Sequence, residues 1–156
     1  SNQPFRAVRI PDNDIPKKRY ADVDTVRKIF GVSPESPGET LAHDVSMLVL
    51  YLMGINTADL YSIEKSSFRN GKLCYNRLKT EKKRKDRAYI EVHVNESILP
   101  LLEKYAGKRR LFNFSDKYSN FDIFALAVNR GLKSLCRKAG VQKITVYWRS
   151  GIHGRQ

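Results

Sequence analysis

The sequence predicts an α+β fold, mostly α, with a small antiparallel β-hairpin packed on helices. Three observations predict it. Two long segments carry apolar residues at helical spacing, one behind the start Ser36-Pro37-Gly38-Glu39 and one ahead of Gly140. Between them, Lys72 to Leu78 and Tyr89 to Val94 alternate with a period of two, as half-buried strands do. At 156 residues and 41% hydrophobic composition, the chain has enough apolar material for one compact core.

Residues 1–20 read as a tether, because Pro4, Pro11 and Pro16 interrupt any helix; Lys17, Lys18 and Arg19 form a basic patch within it. Residues 21–156 form the domain body. A short helix is expected from Val23 to Phe30, ended by Gly31. Ser36 then supplies an N-cap, Pro37 suits the first helical position, and Glu39 falls at the capping-box position. That helix is expected to reach Met53. Leu41, Val45, Leu48, Val49 and Leu52 mark its buried stripe, and Met47, Leu50, Tyr51 and Met53 make it apolar almost all round, the pattern of a central helix. Asn56 or Thr57 caps a further short helix to Ile63.

The hairpin comes next. The segment between its strands, Lys79-Thr80-Glu81-Lys82-Lys83-Arg84-Lys85-Asp86-Arg87, has six basic residues in nine. A helix over Ser97 to Ala106 presents Ile98, Leu101, Leu102 and Tyr105 on its apolar face. The last long helix, Asn120 to Ala139, places Phe121, Phe124, Ala125, Val128, Leu132, Leu135 and Ala139 on one side and Arg130, Lys133 and Arg137 roughly opposite.

Charge is the strongest global signal. Lys plus Arg number 29 against 16 Asp plus Glu, a formal net charge of +13. Such a surface attracts polyanions through counterion release. The cations cluster at the 79–87 tip, over Lys104 to Arg110, and on the polar face of the last helix. The residues expected to contact DNA are therefore Lys82, Lys83, Arg84, Lys85, Arg87, Lys108, Arg109, Arg110, Arg130, Lys133 and Arg137. Each cluster alone is equally readable as a solvated face. Most of the Tyr and Phe residues are expected in the core.

Other classes find no support. Cys74 and Cys136 lie far apart with no CxxC spacing, and His43, His93 and His153 are not paired at metal-ligand spacing. No metal or cofactor is expected. His43 reads as a satisfied core residue. There is no Gly-rich phosphate loop, no GxSxG elbow and no HExxH motif. No apolar run approaches the roughly 18 residues that a membrane span needs, and no signal pattern opens the chain, so a cytoplasmic protein is expected.

The order of short motifs carries a resemblance. Tyr51-Leu52-Met53-Gly54-Ile55-Asn56-Thr57-Ala58-Asp59-Leu60 ends the buried helix. Leu73 to Leu78 runs into Lys79-Thr80, and Leu102-Glu103-Lys104-Tyr105 ends a helix. Asn129-Arg130-Gly131-Leu132-Lys133 and Ala139-Gly140-Val141 follow, and Ile144-Thr145-Val146-Tyr147-Trp148 closes the series. This series resembles the catalytic domain of the tyrosine recombinase (phage integrase) family, in particular the integrases of Bacteroides-type mobile elements, over residues 18–148.

The resemblance implies a bacterial, integrase-like catalytic domain that binds duplex DNA beside other recombinase protomers. It implies DNA recombination and integration through a phosphotyrosine intermediate, without metal or cofactor. Lys79 matches the hairpin lysine that protonates the leaving oxygen. Arg149, one place early, stands for the second of two arginines that clamp the phosphate, since a planar guanidinium matches its oxygens. Two further departures from the pattern stand beside that one. Asn56 stands where the first arginine belongs, and no tyrosine follows Tyr147 to act as nucleophile. The chain is therefore expected to be C-terminally incomplete and inactive in strand transfer as it stands. A different reading stays open: a non-catalytic basic nucleic-acid- or protein-binding module, or an integrase relic.

Overall fold

The computed structural model describes residues 23–77 and 89–142. The expected tether over 1–20, the basic hairpin tip with Lys79, and Arg149 lie outside the described residues.

Helix α1, Val23–Phe30, and helix α2, Pro37–Tyr51, fall where the sequence places them. Ser36 is the N-cap of α2: its hydroxyl accepts the Glu39 N–H at 3.1 Å. The helix ends two residues earlier than expected. Leu52 is the C-cap, and Met53 and Gly54 both take positive φ, 61° and 77°. Glycine enters that region without steric cost, so the chain leaves the helix here, and Met53 is turned out to solvent. Asn56 caps α3, Thr57–Ser62, accepting the Ala58 N–H at 3.4 Å.

The sheet has three antiparallel strands in the order β1, Phe68–Arg69; β2, Lys72–Asn76; β3, Tyr89–His93. The expected pair is present, with Leu73 opposite Val92 and Asn76 opposite Tyr89. Strand β1 is an addition to the expected hairpin. It pairs Arg69 with Lys72 across a two-residue turn in which Asn70 and Gly71 have φ of 53° and 74°. Asn-Gly is the preferred sequence for such a turn, because both positions need positive φ.

Beyond the sheet, the expected helix over 97–106 is shorter and divided. A 3-10 turn, Glu96–Ile98, leads into α4, Leu99–Lys104. Asn95 caps the turn through the Ser97 N–H at 2.7 Å. Ala106 then bridges to Phe112, and Glu64 to Arg110, so two loops are tied by short β-bridges. A single turn, α5 (Phe114–Lys117), precedes α6, Phe121–Ala139. Asn120 caps α6 through the Ile123 N–H at 2.9 Å, and Gly140 ends it with φ of 72°.

The core is one cluster. Helices α2 and α6 make its most extensive contact. They touch backbone to backbone: a Cβ on Gly131 would collide with the Gly38 carbonyl oxygen and lie 2.7 Å from the Ala42 Cβ. The apolar face of α6 buries Phe124, Ala125, Val128, Leu132 and Leu135. Phe124 is the hub of an aromatic cluster, with ring centroids 4.6 Å from Phe114 and 5.6 Å from Tyr61 and from Tyr118. The inner face of the sheet adds Leu73, Tyr75 and Val92. The molecule is thus a mixed α+β fold, mostly helical, with a small antiparallel sheet. Among the described residues no helix is long and apolar enough to cross a membrane.

Candidate nucleic-acid interface

A polyanion is held by cations that protein carboxylates do not already engage, so the partners of each basic side chain decide what is available. The end of α4 and the loop after it use part of their charge internally. Lys104 reaches the buried Asp44 at 2.7 Å, and the Tyr105 hydroxyl donates to the same carboxylate at 2.6 Å. Burial, reinforced by that carboxylate, pushes the Tyr105 phenol well above its usual range. Arg110 donates to the Ser62 carbonyl at 2.6 Å and to Glu64 at 2.8 Å, fastening the loop to the end of α3. Arg109 is wide open, 72% exposed, with Asp116 at 3.7 Å. Lys108 is also exposed, and its backbone N–H is held by Asp116 at 2.8 Å. Of this cluster, Lys108 and Arg109 face outward and Arg110 serves the fold.

Helix α6 divides its charge differently. Lys138, near its C-terminus, pairs with Glu35 at 2.8 Å and with Glu39 at 3.0 Å. Glu39 is itself buried, at 3% exposure. It accepts hydrogen bonds from the Ser134 hydroxyl, the Glu35 N–H and Lys138. Those bonds, Ser134 first, hold its carboxyl down at about 2. The residue at the capping-box position of α2, which accepts the Glu35 N–H one residue before the cap, therefore also clamps α2 to α6. Glu35 and Glu39 in turn raise the Lys138 ammonium.

Arg130, Lys133 and Arg137 are exposed, and among the described residues no carboxylate lies in ion-pair range of them. They share one strip of α6. At 3.6 residues per turn, positions 123, 126, 130, 133 and 137 fall within an arc of about 80° and span about 21 Å along the helix. The first two positions are Ile123 and Leu126, 44% and 49% exposed. The outer strip of the main helix is therefore aliphatic at its N-terminal half and cationic at its C-terminal half. Sequence reasoning assigns this side to the cations alone. A signal for the aliphatic pair is nonetheless present: Ile123 and Leu126 precede Arg130 by seven and four residues, the spacing of one helix face.

The remaining candidates scatter or lie out of view. Lys79, Lys82, Lys83, Arg84, Lys85 and Arg87 belong to the segment joining β2 to β3, and with Arg149 they lie outside the described residues. The outer face of the sheet adds Arg69 and His93, both exposed, and Lys72, which pairs with Glu91 at 3.1 Å. His43 sits half-buried, with its ring edge-on to Phe30 at 5.2 Å and Nε2 3.5 Å from the Phe30 carbonyl. Among the described residues no three His, Cys, Asp or Glu side chains gather to hold a metal.

On the sequence resemblance, Asn56 stands where a first clamp arginine is expected. Here its side chain points back to cap α3. An amide so engaged supplies a hydrogen-bond acceptor to the backbone and no cation to a phosphate. Scans of protein-family models, of curated proteins and of solved structures match nothing to this chain.

Proposed function

We propose that this domain binds the backbone of duplex DNA, and that it does so as a relative of the tyrosine recombinase catalytic domain. The observation that carries the DNA reading is the cationic strip of α6. Arg130, Lys133 and Arg137 are exposed, aligned and without a carboxylate in ion-pair range among the described residues, in a chain of net charge +13. Phosphate contacts of this type bring affinity without sequence information. Lys108 extends the cationic surface, and residues 79–87 carry six further basic residues in the sequence.

The recombinase reading rests on the order of motifs described above. In it, Lys79 is the leaving-group acid, Arg149 is the second phosphate clamp, and the reaction is DNA cleavage and rejoining. Asn56 favours a second reading, a non-catalytic DNA-binding module. A planar bidentate cation is the group that stabilises charge on a transferring phosphoryl, and at this position a capping amide replaces it.

Titration of a fluorescent duplex of arbitrary sequence tests the DNA reading. Affinity should fall steeply between about 50 and 200 mM salt, in proportion to the number of phosphates neutralised. Absence of binding at the low-salt end, or affinity indifferent to salt, would refute it.

A further inference from the structure

The geometry points to Ile123 and Leu126 as the base-reading part of the α6 strip, with the 5-methyl group of thymine in the major groove as their ligand. The inference rests on the DNA reading above and adds to it a chemical preference.

Two large aliphatic side chains, 44% and 49% exposed, stand on the same narrow strip as three cations. The core does not need them. Phe124, Ala125 and Val128, on the opposite side of the same turns, already fill the contact with the rest of the fold. A helix about 10–12 Å across fits a major groove about 12 Å wide, and the thymine methyl is the one apolar group on the base edges there.

Spacing along the helix separates the two roles. Arg137 lies 11 residues beyond Leu126 and 14 beyond Ile123, or about 16 and 21 Å at the helical rise. Those distances exceed the groove width. A helix that crosses the groove with its aliphatic half against base edges therefore carries Arg137 onto the flanking backbone. The aliphatic half, residues 121–129, carries no Lys or Arg to hold a phosphate, and its exposed aliphatic side chains suit methyl groups.

The test compares poly(dA)·poly(dT) with poly(dA)·poly(dU), which lacks only the methyl groups. The chain should bind the thymine duplex more tightly, by about fourfold for each methyl it covers. The double variant Ile123→Ala, Leu126→Ala should bind both duplexes alike while keeping the salt dependence of the unaltered chain. Both substitutions are at exposed positions, and an unchanged thermal midpoint shows that the variant is folded. Equal affinity of the unaltered chain for the two duplexes overturns the methyl reading and leaves backbone binding standing. So does a double variant that keeps the thymine preference. If neither duplex is bound at low salt, the DNA reading itself fails.

Discussion

Glu39 does two jobs with one carboxylate. It closes the N-terminal turn of α2, accepting the Glu35 N–H at 2.9 Å, and it reaches Ser134 and Lys138 on α6. Its carboxyl is held at about 2 against an ordinary 4.5, so the folded state binds its proton less readily than the unfolded chain does. The resulting stability is fully present above pH 4.5 and is lost as the pH falls toward 2. Urea midpoints measured across this window should decline for the unaltered chain. In Glu39→Gln the part of that decline due to this group should vanish, and an unchanged slope would contradict the clamp. Gly131 is the other residue on which this contact depends. Alanine there gains helix propensity worth about 1 kcal/mol. Its methyl would, however, run into the Gly38 carbonyl, and two helix backbones must separate to admit it. Overpacking of this kind costs about 1–3 kcal/mol or more. A lowered thermal midpoint is therefore expected for Gly131→Ala, and a raised one would show that the helices part freely.

At the scale of elements, α6 separates structural from available charge. Lys138 is tied to α2, whereas Arg130, Lys133 and Arg137 are on the open strip. Replacing those three by glutamine should flatten the slope of log affinity against log salt by roughly one for each phosphate no longer neutralised, up to about three. Stability should hardly change, since exposed positions without such ties tolerate substitution. Arg110→Ala is expected to behave in the opposite way. It removes the donors to Ser62 and Glu64 that join the loop to α3, so it should lower the thermal midpoint and leave the salt slope nearly intact. A slope that fell as far for Arg110→Ala as for a strip cation would place Arg110 on the DNA.

At the scale of the whole molecule the question is binding against strand transfer. Phosphodiester cleavage needs a nucleophile, a leaving-group acid and a charge clamp acting together. On the recombinase reading proposed above, the Asn56 side chain is committed to α3 and the phosphate clamp is one cation short. Incubation with nicked duplex substrates should therefore leave no covalent protein–DNA adduct under conditions where the duplex is bound. An adduct on any of the eight tyrosines of the chain would show that strand transfer proceeds without an arginine at this position.

Local physics was legible from the sequence wherever the signal was local. The cap at Ser36, the cap at one of the two alternatives Asn56 and Thr57, the stop at Gly140 and the period-two strands lie where propensity and spacing put them, because each depends on neighbours within a few residues. Strand β1 was not foreseen, because two residues of strand are too few for alternation to register, although Asn70-Gly71 carries the signal of its turn. The mixed, mostly helical fold class and the cations on the outer side of α6 were likewise legible in the sequence, whereas the exposed aliphatic pair beside them was not foreseen. Tertiary structure decided what depends on residues distant in the chain. Asp44 and Glu39 are buried because partners 60 or more residues away, Lys104, Tyr105, Ser134 and Lys138, satisfy them. No periodicity encodes that pairing. The same holds for which cations remain available. Arg110 and Arg137 are alike in composition and in charge run, and only the fold brings Glu64 to one and leaves the other on an open helix face.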